Sequence, residues 1–148
     1  MIYRALTVKQ PWASLLVAGI KTIENRSWST NYRGPLAIHA GQGVERNARA
    51  MIERSLGYPL ADSDVERYRL GDTLPAGAIV GVVELLDVVL VEQITAPIDQ
   101  PWRIGPYCWL VRPLRAYAPR EMPRLPGKLG LWHWESDPTS WRTHSSVG

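Results

Sequence analysis

Residues 79–91 form a run of thirteen, Ile-Val-Gly-Val-Val-Glu-Leu-Leu-Asp-Val-Val-Leu-Val, in which only Gly81, Glu84 and Asp87 are not large and apolar. So many β-branched side chains favour extended backbone, and the run is shorter than the roughly 18 residues needed to cross a bilayer as a helix. It is expected to be a central strand, or two strands joined by a bend, with the rest of the chain packed around it. Glu84 then stands as a carboxylate among apolar neighbours and must find a cation or take up a proton. Lys21 and Arg26 are its natural partners.

Shorter elements flank this run. Residues 4–8 alternate as a strand, and Pro11 stands at a first helical position ahead of Trp12, Leu15 and Leu16, with Gly19 closing a helix of about two turns. Residues 22–28 alternate again, placing Thr22, Glu24, Arg26 and Trp28 on one polar face. Residues 36–40 read as an apolar strand ending at Gly41. Val44, Ala48, Met51 and Ile52 share one face of a second helix that stops near Gly57. The acidic stretch 61–72 is loop or short helix, and residues 107–111 and 129–134 are further strands. Five or six short strands with two or three helices, in this order, predict an α+β, mainly β domain: a small closed sheet with helices packed at its openings. Residues 1–135 are expected to form that domain and 136–148 a flexible tail.

The composition excludes several classes. Cys108 is the one cysteine among 148 residues, so no internal disulfide forms, and no Cys/His set has the spacing of a zinc site. No P-loop, dinucleotide fingerprint or nucleophile elbow is present, and no cofactor or metal is expected. With no spanning run and no secretion signal, a cytoplasmic protein without membrane association is expected, and a monomer.

Net charge is +3, distributed as +4 over residues 1–43, −5 over 44–100 and +4 over 101–148. If the fold joins the two basic ends they make one face suited to phosphates. The 17 basic residues include three lysines, Lys9, Lys21 and Lys128, and a lysine in so arginine-rich a chain hints at amine chemistry. The densest polar segment sets Lys21, Glu24, Arg26 and Arg33 among Trp28 and Tyr32. Cations can engage phosphates while aromatic faces stack unpaired bases, although an exposed strand laced with ion pairs would have the same composition. His39, ending a strand beside Gly41, suits either a structural or a site role.

The runs Leu6-Thr7-Val8-Lys9-Gln10-Pro11-Trp12-Ala13, Gly19-Ile20-Lys21-Thr22-Ile23-Glu24-Asn25-Arg26-Ser27-Trp28 and Tyr32-Arg33-Gly34-Pro35-Leu36-Ala37-Ile38-His39-Ala40 together resemble the ASCH domain pattern. Gly105-Pro106-Tyr107-Cys108-Trp109 and Gly127-Lys128-Leu129-Gly130-Leu131-Trp132 resemble the family's later strands. The resemblance covers most of residues 4–134. It implies a PUA-like β-barrel with a helix-lined cleft that handles RNA or an RNA-derived base. Carried over by motif position, the cleft would hold Lys21, Glu24, Arg26 and Glu84. Trp28, Tyr32, Arg33, His39 and Lys128 are expected as further ligand contacts. One branch, similar to N4-acetylcytidine amidohydrolases, uses a Lys, a Thr three residues later and a Glu on a following strand. Here Lys21 and Glu84 match, while Glu24 stands where that threonine would be. Other members resemble single-strand ribonucleases. The alternative to a binding module is therefore a hydrolase using Lys21 with Glu24 or Glu84.

Overall fold

The computed structural model describes residues 1–68, 70 and 73–136. Six strands, β1 (Ile2–Gln10), β2 (Ile23–Arg26), β3 (Gly34–Val44), β4 (Ala78–Leu90), β5 (Tyr107–Ala116) and β6 (Leu131–Glu135), form one sheet in the order β2-β5-β4-β3-β1-β6. Only the β1–β3 pair is parallel. Three helices complete the described fold: α1 (Trp12–Val17), α2 (Ala48–Leu56) and α3 (Asp62–Arg67). The α+β, mainly β expectation holds. The tail expected over 136–148 lies, beyond Ser136, outside the described residues.

The expected closure of the sheet takes a different form. β2 and β6 remain its two edges, with no backbone pairing between them. β6 covers β1 only as far as Leu6, opposite Leu131. Beyond that point the free edge of β1 is met by a side chain, because the Arg26 guanidinium on β2 donates to the Thr7 carbonyl at 2.6 Å. The sheet curls far enough that an arginine on the edge strand β2 spans the remaining gap to β1.

The β-branched run is one strand, bent where its register against β5 shifts between Leu85 and Asp87. Its first half, Ala78–Val83, is buried throughout, as a central strand must be. α1 packs across β4 and β5 with Ala13, Ser14, Leu15, Leu16 and Val17 all buried, so it plugs the inside of the curl. Gly81 allows this approach. A Cβ at position 81 would lie 2.9 Å from Val17 Cγ1 and would collide with the Arg115 carbonyl oxygen. Since backbone cannot yield cheaply, Gly81→Val is expected to lose about 3 kcal/mol, read as a lower urea midpoint at unchanged slope. A loss under ~1 kcal/mol would show that α1 is not held against β4 in this way.

One sequence expectation shifts here. Val44 was expected on the buried face of the second helix, but it ends β3 and is 60% exposed, and α2 begins at Ala48. The apolar periodicity that continues into Val44 is accidental, since β3 runs past the core as far as this residue. α2 ends at Leu56 with Gly57 in the left-handed conformation, and the acidic stretch supplies α3.

Candidate functional site

α1 ends just ahead of Gly19, and the following turn ties the Lys21 backbone N–H to the Leu15 carbonyl at 3.1 Å. Lys21 therefore precedes β2 and escapes strand alternation, while Glu24 and Arg26, two apart on β2, share a face. The three side chains form a row. Lys21 Nζ donates to the Ile23 carbonyl and lies 3.9 Å from Glu24 Oε1, and Glu24 Oε2 accepts from Arg26 Nε at 2.9 Å. Lys21 is 5% exposed and Glu24 7%, whereas Arg26 reaches the opening.

Burial is the main influence on the Lys21 amine and pulls its pKa below the ordinary 10.5; Glu24 pulls the other way, and Arg26 adds a smaller push down. The amine also sits 5.6 Å from the centre of the Trp12 ring. Such a group is desolvated and has one neighbouring carboxylate, so it is an avid donor to any ligand acceptor that enters.

This row lies along a cleft of about 620 Å³. Trp12, Trp28, Met51 of α2 and Trp102, from a 3-10 turn at Gln100–Trp102, line it. Asn25 secures the Trp102 turn. Its amide donates to the Trp102 carbonyl at 3.0 Å and its Oδ1 accepts from the Ile104 and Gly105 N–H groups at 2.9 and 2.8 Å. Trp28 rests edge-on against Trp109, and the Trp109 indole donates to the Trp28 carbonyl, which fixes the ring. A cleft of this volume, with aromatic sides and a few converging polar groups, has the dimensions of a site for one base or nucleoside.

Other sequence candidates lie elsewhere. Glu84, expected beside Lys21 and Arg26, is on the outer face of β4 and pairs with Arg112, whose Nε donates at 2.6 Å. The reason is sheet order: β5 separates β2 from β4 and sets Arg112 directly opposite Glu84. Glu84 is thus neither buried among apolar groups nor part of the cleft. Arg33 is at the surface, paired with Asp87 at 3.0 Å. Tyr32 packs against the core, hydrogen-bonds the Pro35 carbonyl and lies under Arg4. Thr22 offers no nucleophile to the cleft, since its hydroxyl is buried without a partner and off the cleft wall.

His39 and Lys128 line a second cavity, of about 700 Å³. The His39 ring is satisfied on both sides. The Leu125 carbonyl, 2.7 Å from Nε2, can only accept, so Nε2 carries a proton, and in the neutral ring Nδ1 accepts from the Thr7 hydroxyl at 3.2 Å. Lys128 extends over the Trp132 ring. Cys108 is buried, with its thiol pushed up first of all by burial, as an apolar filler would be.

Sequence reasoning did not assign Trp12, Trp102 or Gln42 to the site. Trp12 was hidden by its place in a helix pattern, and Trp102 by lying 76 positions beyond Arg26 in the chain; no local signal could have joined them. Among the described residues no group of His, Cys, Asp and Glu could hold a metal ion, and no helix is long and apolar enough to cross a membrane.

Comparison with known proteins places the chain in a family. The family model for the ASCH domain matches residues 6–121, which takes in the cleft row, Trp12, Trp28 and Trp102. Activating signal cointegrator 1 from Mus musculus and its counterpart from Homo sapiens are each 40% identical over 89 residues. That match covers 60% of this chain but only 15% of either relative, so the shared part is a small fraction of those proteins.

Proposed function

The chain belongs to the ASCH domain family, and we propose that it acts as an RNA-handling module whose cleft takes one unpaired base or nucleoside of a single-stranded RNA. The observation that carries this reading is the row of buried Lys21 and Glu24 and half-buried Arg26 along a cleft lined by Trp12, Trp28 and Trp102. Trp12, Trp28 and Trp102 supply faces for stacking, each stack contributing roughly 1 to 3 kcal/mol. Glu24 Oε1, free of the guanidinium, accepts from a base amino or imino group, and the Lys21 amine donates to a ring nitrogen or carbonyl beside it. Arg26, at the mouth, meets the phosphate. The site needs no nucleophile. A hydrolase reading keeps Lys21 and Glu24 but not the second carboxylate, since Glu84 is committed to Arg112 on the outer face.

In a fluorescence-anisotropy titration, single-stranded RNA is expected to bind more tightly than a duplex of the same sequence, because a paired base cannot enter the cleft. With three phosphate contacts the slope of log affinity against log salt should be about −2. Salt-independent binding, or equal affinity for the duplex, sinks the reading. Loss of the nucleoside or cleavage of the strand in the same tube, followed by chromatography, is the outcome that would replace the module with the hydrolase.

A further inference from the structure

We propose that the second cavity seats the next nucleotide of the strand, so that the preferred ligand is an oligonucleotide and not a free nucleoside; this rests on the base-binding reading of the first cleft. The two cavities are continuous in their walls. Both are lined by Thr7, Arg26, Gly41 and Gln42, and the Arg26 side chain that spans the gap between β2 and β1 is the boundary between them. Arg26 Nε and one terminal nitrogen are used by Glu24 and Thr7, while Nη1 makes no hydrogen bond among the described residues. A phosphodiester that links a base in the first cleft to a sugar in the second would pass this free donor.

The charge of the second cavity suits an anion. Arg26 and Lys128 line it and no carboxylate does, whereas the first cleft includes Glu24. Lys9 on the first cleft and Lys128 on the second form no ion pair among the described residues, unlike Arg33, Arg49, Arg112 and Arg115. All three lysines of the chain thus border these two spaces. The cavity wall is also fixed in place. Gly127 packs so closely that a Cβ would stand 2.5 Å from Thr7 Oγ1 and 2.8 Å from the His39 ring, which holds the loop bearing Lys128 against β1 and β3.

The test is a length series on the full chain: the four ribonucleosides, their dinucleoside monophosphates and the tetranucleotides, titrated calorimetrically against wild type, Lys128→Glu and Lys21→Met. Lys128 is exposed, so its variant should fold, and a thermal melt verifies this. The expected result is an affinity gain of about tenfold from nucleoside to dinucleotide, lost in Lys128→Glu while nucleoside affinity stays within about twofold. No gain with length, or equal weakening of nucleoside and dinucleotide by Lys128→Glu, overturns the second subsite and leaves the first cleft standing. Dinucleotide binding that needs Lys128 but is untouched by Lys21→Met keeps the second subsite and overturns the base-binding reading. Failure of every probe to bind overturns both.

Discussion

Glu24→Ala is expected to destabilise the protein by about 3 kcal/mol, because it removes a buried carboxylate that stands between two cations. That is a large share of the roughly 5 to 15 kcal/mol that holds a domain of this kind together. Lys21 cannot relieve the change by turning outward, since it is anchored through the Ile23 carbonyl and buried. Arg26 can in part, being nearer the opening, which places the expected loss at the lower end for a broken buried pair. Glu24→Gln should cost less, since its amide oxygen still accepts from Arg26 Nε and its volume is unchanged. Urea denaturation of both variants checks this, and a Glu24→Ala midpoint within experimental error of wild type would show that Glu24 is not the counterion that keeps the row together.

Lys21→Met is expected to do the reverse: raise stability by about 1 kcal/mol or more at neutral pH while weakening nucleoside binding at least tenfold. Methionine fills a similar volume beside Trp12 and needs no solvation, and Glu24 keeps its partner in Arg26. The pH dependence gives an independent reading. Below its lowered folded-state pKa, Lys21 is charged in both the folded and unfolded chain, and the penalty for burying the charge is constant. Between that value and 10.5 the unfolded chain holds a proton that the folded chain has released, so stability rises with pH across that window. Lys21→Met should abolish this alkaline rise. Melts of both proteins from pH 7 to 11 would measure it, and a wild-type curve falling in parallel with the variant would show that the amine is not desolvated. A gain in stability on losing Lys21 fits a residue kept for its ligand at the expense of the fold, as sites often are.

Both predictions concern residues that could be read from the chain directly, and the contrast with Glu84 shows why some could not. The alternation of β2 is local, so Glu24 and Arg26 were legible as neighbours from spacing, while Lys21, of the opposite parity, joined them through the resemblance to ASCH domains. Glu84 was equally visible as a carboxylate in an apolar strand, but its partner depends on which strand lies beside β4. β5 occupies that place, and the cross-strand neighbour is Arg112. Alternation also sets Val83 and Leu85 inward and Glu84 outward, yet a run apolar at nearly every position conceals which parity faces the core. Trp28 and Tyr32 looked equivalent as stacking faces; only the first lines the cleft, because Tyr32 turns back to its own Pro35 carbonyl and the core.

By itself the sequence determined the elements: β-branched and alternating runs set the strands, Pro11 and the turn glycines bounded the helices, and the resemblance to ASCH domains carried the α+β class. These are properties of short stretches, where backbone sterics and apolar periodicity act within a few residues. The tertiary structure decided everything that depends on neighbours distant in the chain. Placing β5 between β2 and β4 removed Glu84 from the cleft, and the curl of the sheet brought Arg26 to Thr7. The tertiary fold also brought Trp102 and Trp28 to one cleft, and Lys128, from the basic C-terminal end, to a cavity that shares Arg26 with the cleft of Lys21, from the basic N-terminal end. Strand order and closure are set by the balance of many buried contacts summed over the whole core, and no single segment carries that balance in its own residues.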